Sequence, residues 1–427
     1  MQHQKICTDT RKVKPGDIFF ALKGDRFNGN TFAAKALDAG AVAVVVDEEA
    51  FCEAGDPRYI LVEDGLRALQ DLSRAYRRTL EIPFLGITGS NGKTTTKELV
   101  HAVLSTAKKT FATQGNYNNH IGVPLTLLSI PQDTEIAIIE MGANKPGDIK
   151  ELVEIAEPTH GLITNVGRAH LEGMGSLEGV QKTKGELFDF LRANNGRLFV
   201  NRGDERVSAA AGQQAGDISF GTDESNYRIE LKEHQLEGME LLFHAPDQEV
   251  LPLQTQLTGV YNATNVLVAA MVGDYFGVPR SGIQKGVYGY RPTNNRSEII
   301  QKGAKTIVLD AYNANPSSMR AAIRNVFSYA DKKVLLILGD MLEMGAEEAE
   351  IHAELGRFVN QFPAVCTICV GTRMQAMADV LKGEFAWFKN AEKAADAVHK
   401  WQKITNMVLI KGSRGMALES LVGKIES

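Results

Sequence analysis

Within nine residues, Thr88-Gly89-Ser90-Asn91-Gly92-Lys93-Thr94-Thr95-Thr96, the chain gathers two glycines, a lysine and a cluster of hydroxyls. Glycine lets successive backbone N–H groups turn toward one point. The lysine brings a cation to that point, and a following Thr hydroxyl suits a divalent metal. Together they fit the phosphates of a nucleoside triphosphate, so Gly89, Ser90, Asn91, Gly92, Lys93, Thr94 and Thr95 are candidate nucleotide contacts. The apolar run Pro83-Phe84-Leu85-Gly86-Ile87 precedes them and reads as a buried strand. Leu99, Val100, Val103 and Leu104 follow at helical spacing. A helix opening there adds the partial positive charge of its N-terminus. The strict P-loop spacing asks for glycine where the chain has Ile87, so a plain glycine turn is the competing reading.

Further candidates sit at the ends of apolar runs. Glu140 ends Ile136-Ala137-Ile138-Ile139, and ligands of open α/β sheets gather beyond the carboxyl ends of strands. An acid there can hold Mg²⁺ or serve as a turn carboxylate. His170 lies just past Thr164-Asn165-Val166, where a metal role and a structural one both fit. Lys182 and Lys184, in Val180-Gln181-Lys182-Thr183-Lys184, read from spacing alone as a solvated helix face. Asp310 opens Asp310-Ala311-Tyr312-Asn313-Ala314-Asn315-Pro316 after an apolar run. Its carboxylate could accept ribose hydroxyls, and the Asn-Pro turn would equally suit a plain loop. Asn262 and Asn265 share one helix face at i and i+3. Capping suits Asn262; Asn265 lies inside the helix, where Asn is unfavourable, so base reading suits it. Cys366 and Cys369 fall in a β-branched run, where i and i+3 point to opposite faces and cannot share a metal.

The elements that must position these residues alternate between strand and helix. Strands are expected at 17–24 and 41–46, with helices near 31–39 and 66–80. From Pro83 onward come strands at 84–88, 135–140, 161–166 and 197–200, each followed or preceded by a helix, then a β-rich stretch from 218 to 257 and a helix at 263–276. A second α/β rhythm follows, with strands at 306–310, 333–338, 364–370 and 407–411. This predicts a three-domain α/β protein: a small domain at 1–82, a central parallel-sheet domain at 83–293 and a doubly wound, Rossmann-like domain at 294–427. With 427 residues, 44% hydrophobic, 23% charged and a net charge of −5, the composition is that of a soluble globular protein. It has no basic footprint for nucleic acid and no apolar run of membrane-spanning length. Four cysteines make no disulfide framework. Met1-Gln2-His3-Gln4-Lys5 leads into no signal-peptide core, so the expectation is a cytoplasmic protein.

These motifs together resemble the Mur ligase family. Thr8-Asp9-Thr10-Arg11 through Asp17-Ile18-Phe19-Phe20-Ala21-Leu22-Lys23-Gly24 is similar to that family's uridine-nucleotide motif, with Thr10 where Ser is usual. Gly115-Asn116-Tyr117-Asn118-Asn119-His120-Ile121-Gly122-Val123-Pro124 and the Asp310–Pro316 segment resemble motifs of the branch that adds D-alanyl-D-alanine. The resemblance implies substrate contacts at Thr10, Arg11, Lys23, Asn118, Asn119, Tyr312, Asn313 and Asn315. It implies ATP contacts at Asn265, Arg296 and Asp310, one Mg²⁺ on Thr94 and a second on Glu140 and His170. Lys184, fourteen residues after His170, then matches a lysine that these ligases carbamylate, against its solvated-face reading. Tyr261 stands where His is commoner. The implied activity is ATP-dependent joining of D-alanyl-D-alanine to UDP-N-acetylmuramoyl-tripeptide through an acyl phosphate, by a monomer, for peptidoglycan synthesis. The Asp-Asn-Pro-Arg signature of the diaminopimelate-adding branch is missing. A P-loop ATPase or kinase whose outer sections bind a protein partner is the alternative. It would release ADP without either acceptor.

Overall fold

The strands Phe84–Thr88 and Ile136–Glu140 are buried along their whole lengths, as unbroken apolar runs require of parallel strands covered on both faces. They lie side by side in a six-stranded parallel sheet, ordered Ile218–Phe220, Arg197–Asn201, His160–Ile163, Phe84–Thr88, Ile136–Glu140, Thr110–Ala112. The computed structural model describes residues 5–24, 27–214, 216–292, 295–329 and 333–426. The junction expected at 293/294 and the residues Met1-Gln2-His3-Gln4 lie outside them.

One face of this sheet packs on helices Lys93–Leu104 and Ala263–Tyr275 and on an antiparallel sheet of Arg228–Gln235, Gly238–His244 and Leu251–Thr255. Helix Ala263–Tyr275 is apolar all round, and every residue from Asn265 to Gly273 is buried. The other face packs on helices Gly122–Leu128, Asp148–Ala156 and Leu177–Ala193. The chain leaves strand Phe84–Thr88 toward one side of the sheet and later crosses to the other. The carboxyl ends around Thr88 are therefore a switch point, where a ligand crevice opens.

A second six-stranded sheet runs Glu298–Lys302, Lys305–Asp310, Met407–Lys411, Val334–Gly339, Cys366–Val370, Phe385–Phe388, parallel except for its first pair. Each face has its own apolar cluster, and Cys366 enters one while Cys369 enters the other. Burial pushes both thiols up to about 12, which keeps them protonated and poor ligands. A small parallel sheet of Ile6–Cys7, Ile18–Phe20, Ala43–Val46 and Tyr59–Leu61 precedes the rest. Helix Gly65–Arg78 carries the chain from it onto helices Gly122–Leu128 and Asp148–Ala156. There Tyr76 Oη donates to the Ile130 carbonyl at 2.6 Å and Arg77 Nη2 to that of Glu157 at 2.7 Å.

The α/β class with parallel sheets is the one expected from the alternating pattern. The expected strand 17–24 is in fact two: Ile18–Phe20, and Lys23–Gly24 paired with Phe27–Asn28 in a separate ribbon. The strands missed in the sequence, Ile6–Cys7, Tyr59–Leu61, Thr110–Ala112, Glu298–Lys302 and Phe385–Phe388, all lie at sheet edges. A neighbour on one side only leaves them short and partly exposed, and the apolar runs that two of them carry, Tyr59-Ile60-Leu61 and Phe385-Ala386-Trp387-Phe388, are too short to decide between strand and loop.

Candidate active site

Gly89 and Gly92 have φ of +146° and +78°, a region open to glycine. A Cβ on Gly89 would lie 1.9 Å from Thr164 Oγ1, and one on Gly92 2.8 Å from Asn265 Oδ1. The loop is braced by the segment after strand His160–Ile163. Asn165 accepts from the Asn91 backbone N at 3.0 Å with Oδ1 and from the Ser90 N at 2.9 Å with its carbonyl. Thr164 Oγ1 donates to the Asn91 carbonyl at 2.6 Å. Sequence reasoning missed Thr164 and Asn165; their cue is that their strand is the hydrogen-bonded neighbour of the one feeding the loop.

Lys93 opens helix Lys93–Leu104 and folds back so that Nζ donates to the Gly89 carbonyl at 2.6 Å. Desolvation holds its pKa below the ordinary lysine range, the Glu140 charge opposes this, and Arg296 adds to the lowering. Thr94 Oγ1 donates to Glu140 Oε1 at 3.2 Å and Asn118 Nδ2 to the same oxygen at 2.8 Å. Glu140 is buried, and its Oε2 has no hydrogen-bond partner. A buried anionic oxygen left without a donor is costly unless something compensates it. Beside a Thr hydroxyl it is the hard-oxygen set a divalent cation takes, so Thr94 and Glu140 fit a Mg²⁺.

His170, at φ +55°, pairs through Nδ1 with the Glu343 carboxylate, and this bond holds Glu343 below the usual carboxylate range. Lys184, on helix Leu177–Ala193, is buried and has no hydrogen bond or ion pair among the described residues. Desolvation, with the positive charge of Lys93, pulls its pKa well below the ordinary value. The solvated-face reading is therefore wrong for Lys184, though Lys182 on the same helix is exposed. Among the described residues no three His, Cys, Asp or Glu side chains converge on one point. Glu140 and His170 make no metal cluster by themselves.

From the other sheet, Asp310 and Lys411 are register partners at adjacent strand ends. Lys411 Nζ donates to Asp310 Oδ2 at 2.6 Å and to the Asn313 carbonyl at 3.1 Å. The Arg296 guanidinium lies 3.7 Å from the centre of the Tyr312 ring and that of Arg414 5.0 Å, both within cation–π range. Asn315 caps helix Pro316–Phe327 in a capping box with Ser318, and its Nδ2 donates to Asn91 Oδ1 at 2.7 Å. Asn119 has a structural duty, accepting from the Gly122 N at 2.8 Å. Asn262 does not cap as expected: its Nδ2 donates to the Thr258 carbonyl, and its Oδ1 accepts from Asn265, whose own Oδ1 accepts from Thr96.

These pieces enclose a cleft of about 1210 Å³ between the two large sheets. Of the site residues read from the sequence, Thr10, Arg11, Lys23, Gly89 and Lys184 do not line it; the others do. Thr10 and Arg11 form a short turn capped by Asp9, which also pairs with Arg11 at 2.8 Å. Lys23 is held by Asp47 at 3.1 Å and Glu48 at 2.9 Å. Thr10 and Arg11 sit between the first two strands of the small first sheet, and Lys23 on the separate Lys23–Gly24 and Phe27–Asn28 ribbon.

A glycine loop with Lys-Thr at a switch point, a carboxylate beyond the neighbouring strand and a facing sheet that closes the cleft define a nucleoside-triphosphate-dependent enzyme of several domains. The chain belongs to the Mur ligase family: residues 3–77 match the family's catalytic-domain model, 87–273 its middle domain and 295–414 its glutamate ligase domain. It is 35% identical over 425 residues to the UDP-N-acetylmuramoyl-tripeptide–D-alanyl-D-alanine ligase of Bacillus subtilis (strain 168), covering 98% of this chain and 92% of that one. Among solved structures it resembles MurF from Acinetobacter baumannii, with TM-score 0.90, 29% identity and 99% and 93% of the two chains covered. It also resembles the MurF ligase of Thermotoga maritima in complex with ADP, with TM-score 0.87, 26% identity and 99% and 97% covered.

Proposed function

We propose that the protein is an ATP-dependent ligase that joins D-alanyl-D-alanine to UDP-N-acetylmuramoyl-tripeptide, releasing ADP and phosphate, in the synthesis of the peptidoglycan precursor. One observation carries the reading: the phosphate loop faces the Asp310–Pro316 segment across a single cleft, tied to it by Asn315 and Asn91. Relatives matched over nearly the full chain bear that ligase name.

In this reading the tripeptide's terminal carboxylate attacks the γ-phosphorus of ATP, giving an acyl phosphate and ADP. The dipeptide amine then attacks the acyl carbon, the C–O bond to phosphate breaks, and the amine gives up a proton as the amide forms. Lys93 meets the charge that develops on the transferring phosphoryl group. Ser90, Asn91, Gly92 and Thr95 turn toward the phosphates, while Asn265, Arg296 and Asp310 hold the nucleoside end. Thr94 and Glu140 would hold one Mg²⁺, and Glu140, His170 and a carbamylated Lys184 a second; such ions neutralise phosphoryl charge. Support for the carbamate is the burial and low basicity of Lys184, since a neutral amine can react with CO₂. Thr10, Arg11 and Lys23 hold the uridine nucleotide. Asn118, Asn119, Tyr312, Asn313 and Asn315 line the path of the peptide substrates. Water must be kept from the acyl phosphate, and a cleft walled by two sheets can close to do so. We place the domain divisions at 1–82, 83–293 and 294–427, and the enzyme in the cytoplasm as a monomer. No helix of the described residues is long and apolar enough to cross a membrane.

Phosphate and ADP release with both acceptors, and with each alone, tests the reading. Turnover that needs UDP-N-acetylmuramoyl-tripeptide and D-alanyl-D-alanine together supports it. Turnover without them replaces it with an ATPase.

A further inference from the structure

Lys97 is a buried cation that the reaction above leaves unused. It sits one turn beyond Lys93 on the same helix. Its Nζ lies 3.6 Å from Glu140 Oε2, and the two side chains are 3% and 2% exposed. Thr113 fixes both partners: its carbonyl accepts from Lys97 Nζ at 2.7 Å and its hydroxyl from the Glu140 backbone N at 3.0 Å. The ammonium is thus held beside Oε2 without a hydrogen bond to it, and the lone pairs of Oε2 stay open. Glu98, 4.0 Å from the ammonium, is the other acid beside it. Its second oxygen accepts from Tyr290 Oη at 2.7 Å.

We propose that Lys97 is a positioning residue, a resident counter-cation that stops Glu140 from taking a divalent metal before the nucleotide arrives; the proposal rests on the Mg²⁺ reading of Thr94 and Glu140. A carboxylate this buried needs a compensating charge, and Lys97 supplies one when no metal is bound. A dication on Oε2 would meet that ammonium a few ångströms away, where screening is weak. The phosphates of a bound nucleotide would reverse the balance. The metal then enters as the nucleotide complex, and Glu140 selects a loaded nucleotide over the free ion.

The test uses the full chain, with Mn²⁺ as the probe and electron paramagnetic resonance as the readout. Wild type and Lys97→Arg should take up Mn²⁺ weakly without nucleotide, and Lys97→Met roughly tenfold more tightly or better. A folded Lys97→Met that still binds ADP but holds Mn²⁺ no more tightly than wild type overturns the proposal. If Lys97→Met does not fold, Lys97→Gln, which keeps a donor for the Thr113 carbonyl without the charge, takes its place in the same Mn²⁺ titration, and wild-type uptake by it overturns the proposal. No Mn²⁺ uptake by any of these proteins even with ADP overturns the Mg²⁺ reading, and the proposal with it.

Discussion

The side-chain amide of Asn315 donates to Asn91 Oδ1 at 2.7 Å, joining a helix N-cap on one sheet to the phosphate loop on another. This bond ties the two walls of the cleft together beside the phosphate loop. Asn315→Asp keeps the capping acceptor but cannot donate to Asn91. We expect it to melt close to wild type while kcat/KM falls about tenfold or more, the scale of a lost positioning contact. Asn315→Ala also loses the cap, a further stability loss of about 1 kcal/mol. Wild-type turnover in Asn315→Asp would detach this bond from the mechanism.

Lys93→Ala should leave the fold intact and reduce turnover by about 10²–10³ or more, since it removes a charge that acts on the transferring phosphoryl group. Circular dichroism and single-turnover ADP formation together check it. A folded variant with near-normal turnover would remove the loop from the chemistry.

Lys184→Ala should be nearly inactive and regain part of its activity with added acetate or another short carboxylate, which could stand in for a carbamate oxygen on the metal. Lys182→Ala should be mild, because Lys182 is exposed and Lys184 buried. Full activity of Lys184→Ala would end the carbamate reading.

The ring of His160 packs among Phe199, Tyr275 and Phe276. Desolvation, with the charge of Arg197, lowers its pKa from 6.5 to about 4. The folded protein keeps it neutral, while the unfolded chain takes up the proton. Its contribution to stability is thus complete above about 6.5 and is lost as pH falls toward about 4. Urea midpoints measured from pH 7 to pH 4 should fall less steeply in His160→Phe, by up to one proton of slope. An unchanged slope would assign the acid sensitivity elsewhere.

The central strands and the phosphate loop are legible in the sequence because burial on both faces demands apolar runs, and tight turns demand glycine. Glu140, Asp310 and the Cys366–Cys369 strand follow from the same rule of strand ends and faces. The edge strands are not legible, since runs as short as Tyr59-Ile60-Leu61 and Phe385-Ala386-Trp387-Phe388 do not separate strand from loop. The burial of Lys184 is not legible either: a lysine on a helix reads as solvated until the sheet packed against it is known. Thr164, Asn165, Lys97 and Glu343 act through partners distant in the chain, so no local pattern announces them.

The acyl phosphate is the claim that binds the loop, the cleft and the facing sheet into one mechanism. Tripeptide substrate labelled with ¹⁸O in its terminal carboxylate, incubated with ATP, Mg²⁺ and D-alanyl-D-alanine, tests it directly by mass spectrometry. The account predicts a pentapeptide product and released phosphate that carries one ¹⁸O atom from the carboxylate. Phosphate free of label, with ADP formed, would contradict it.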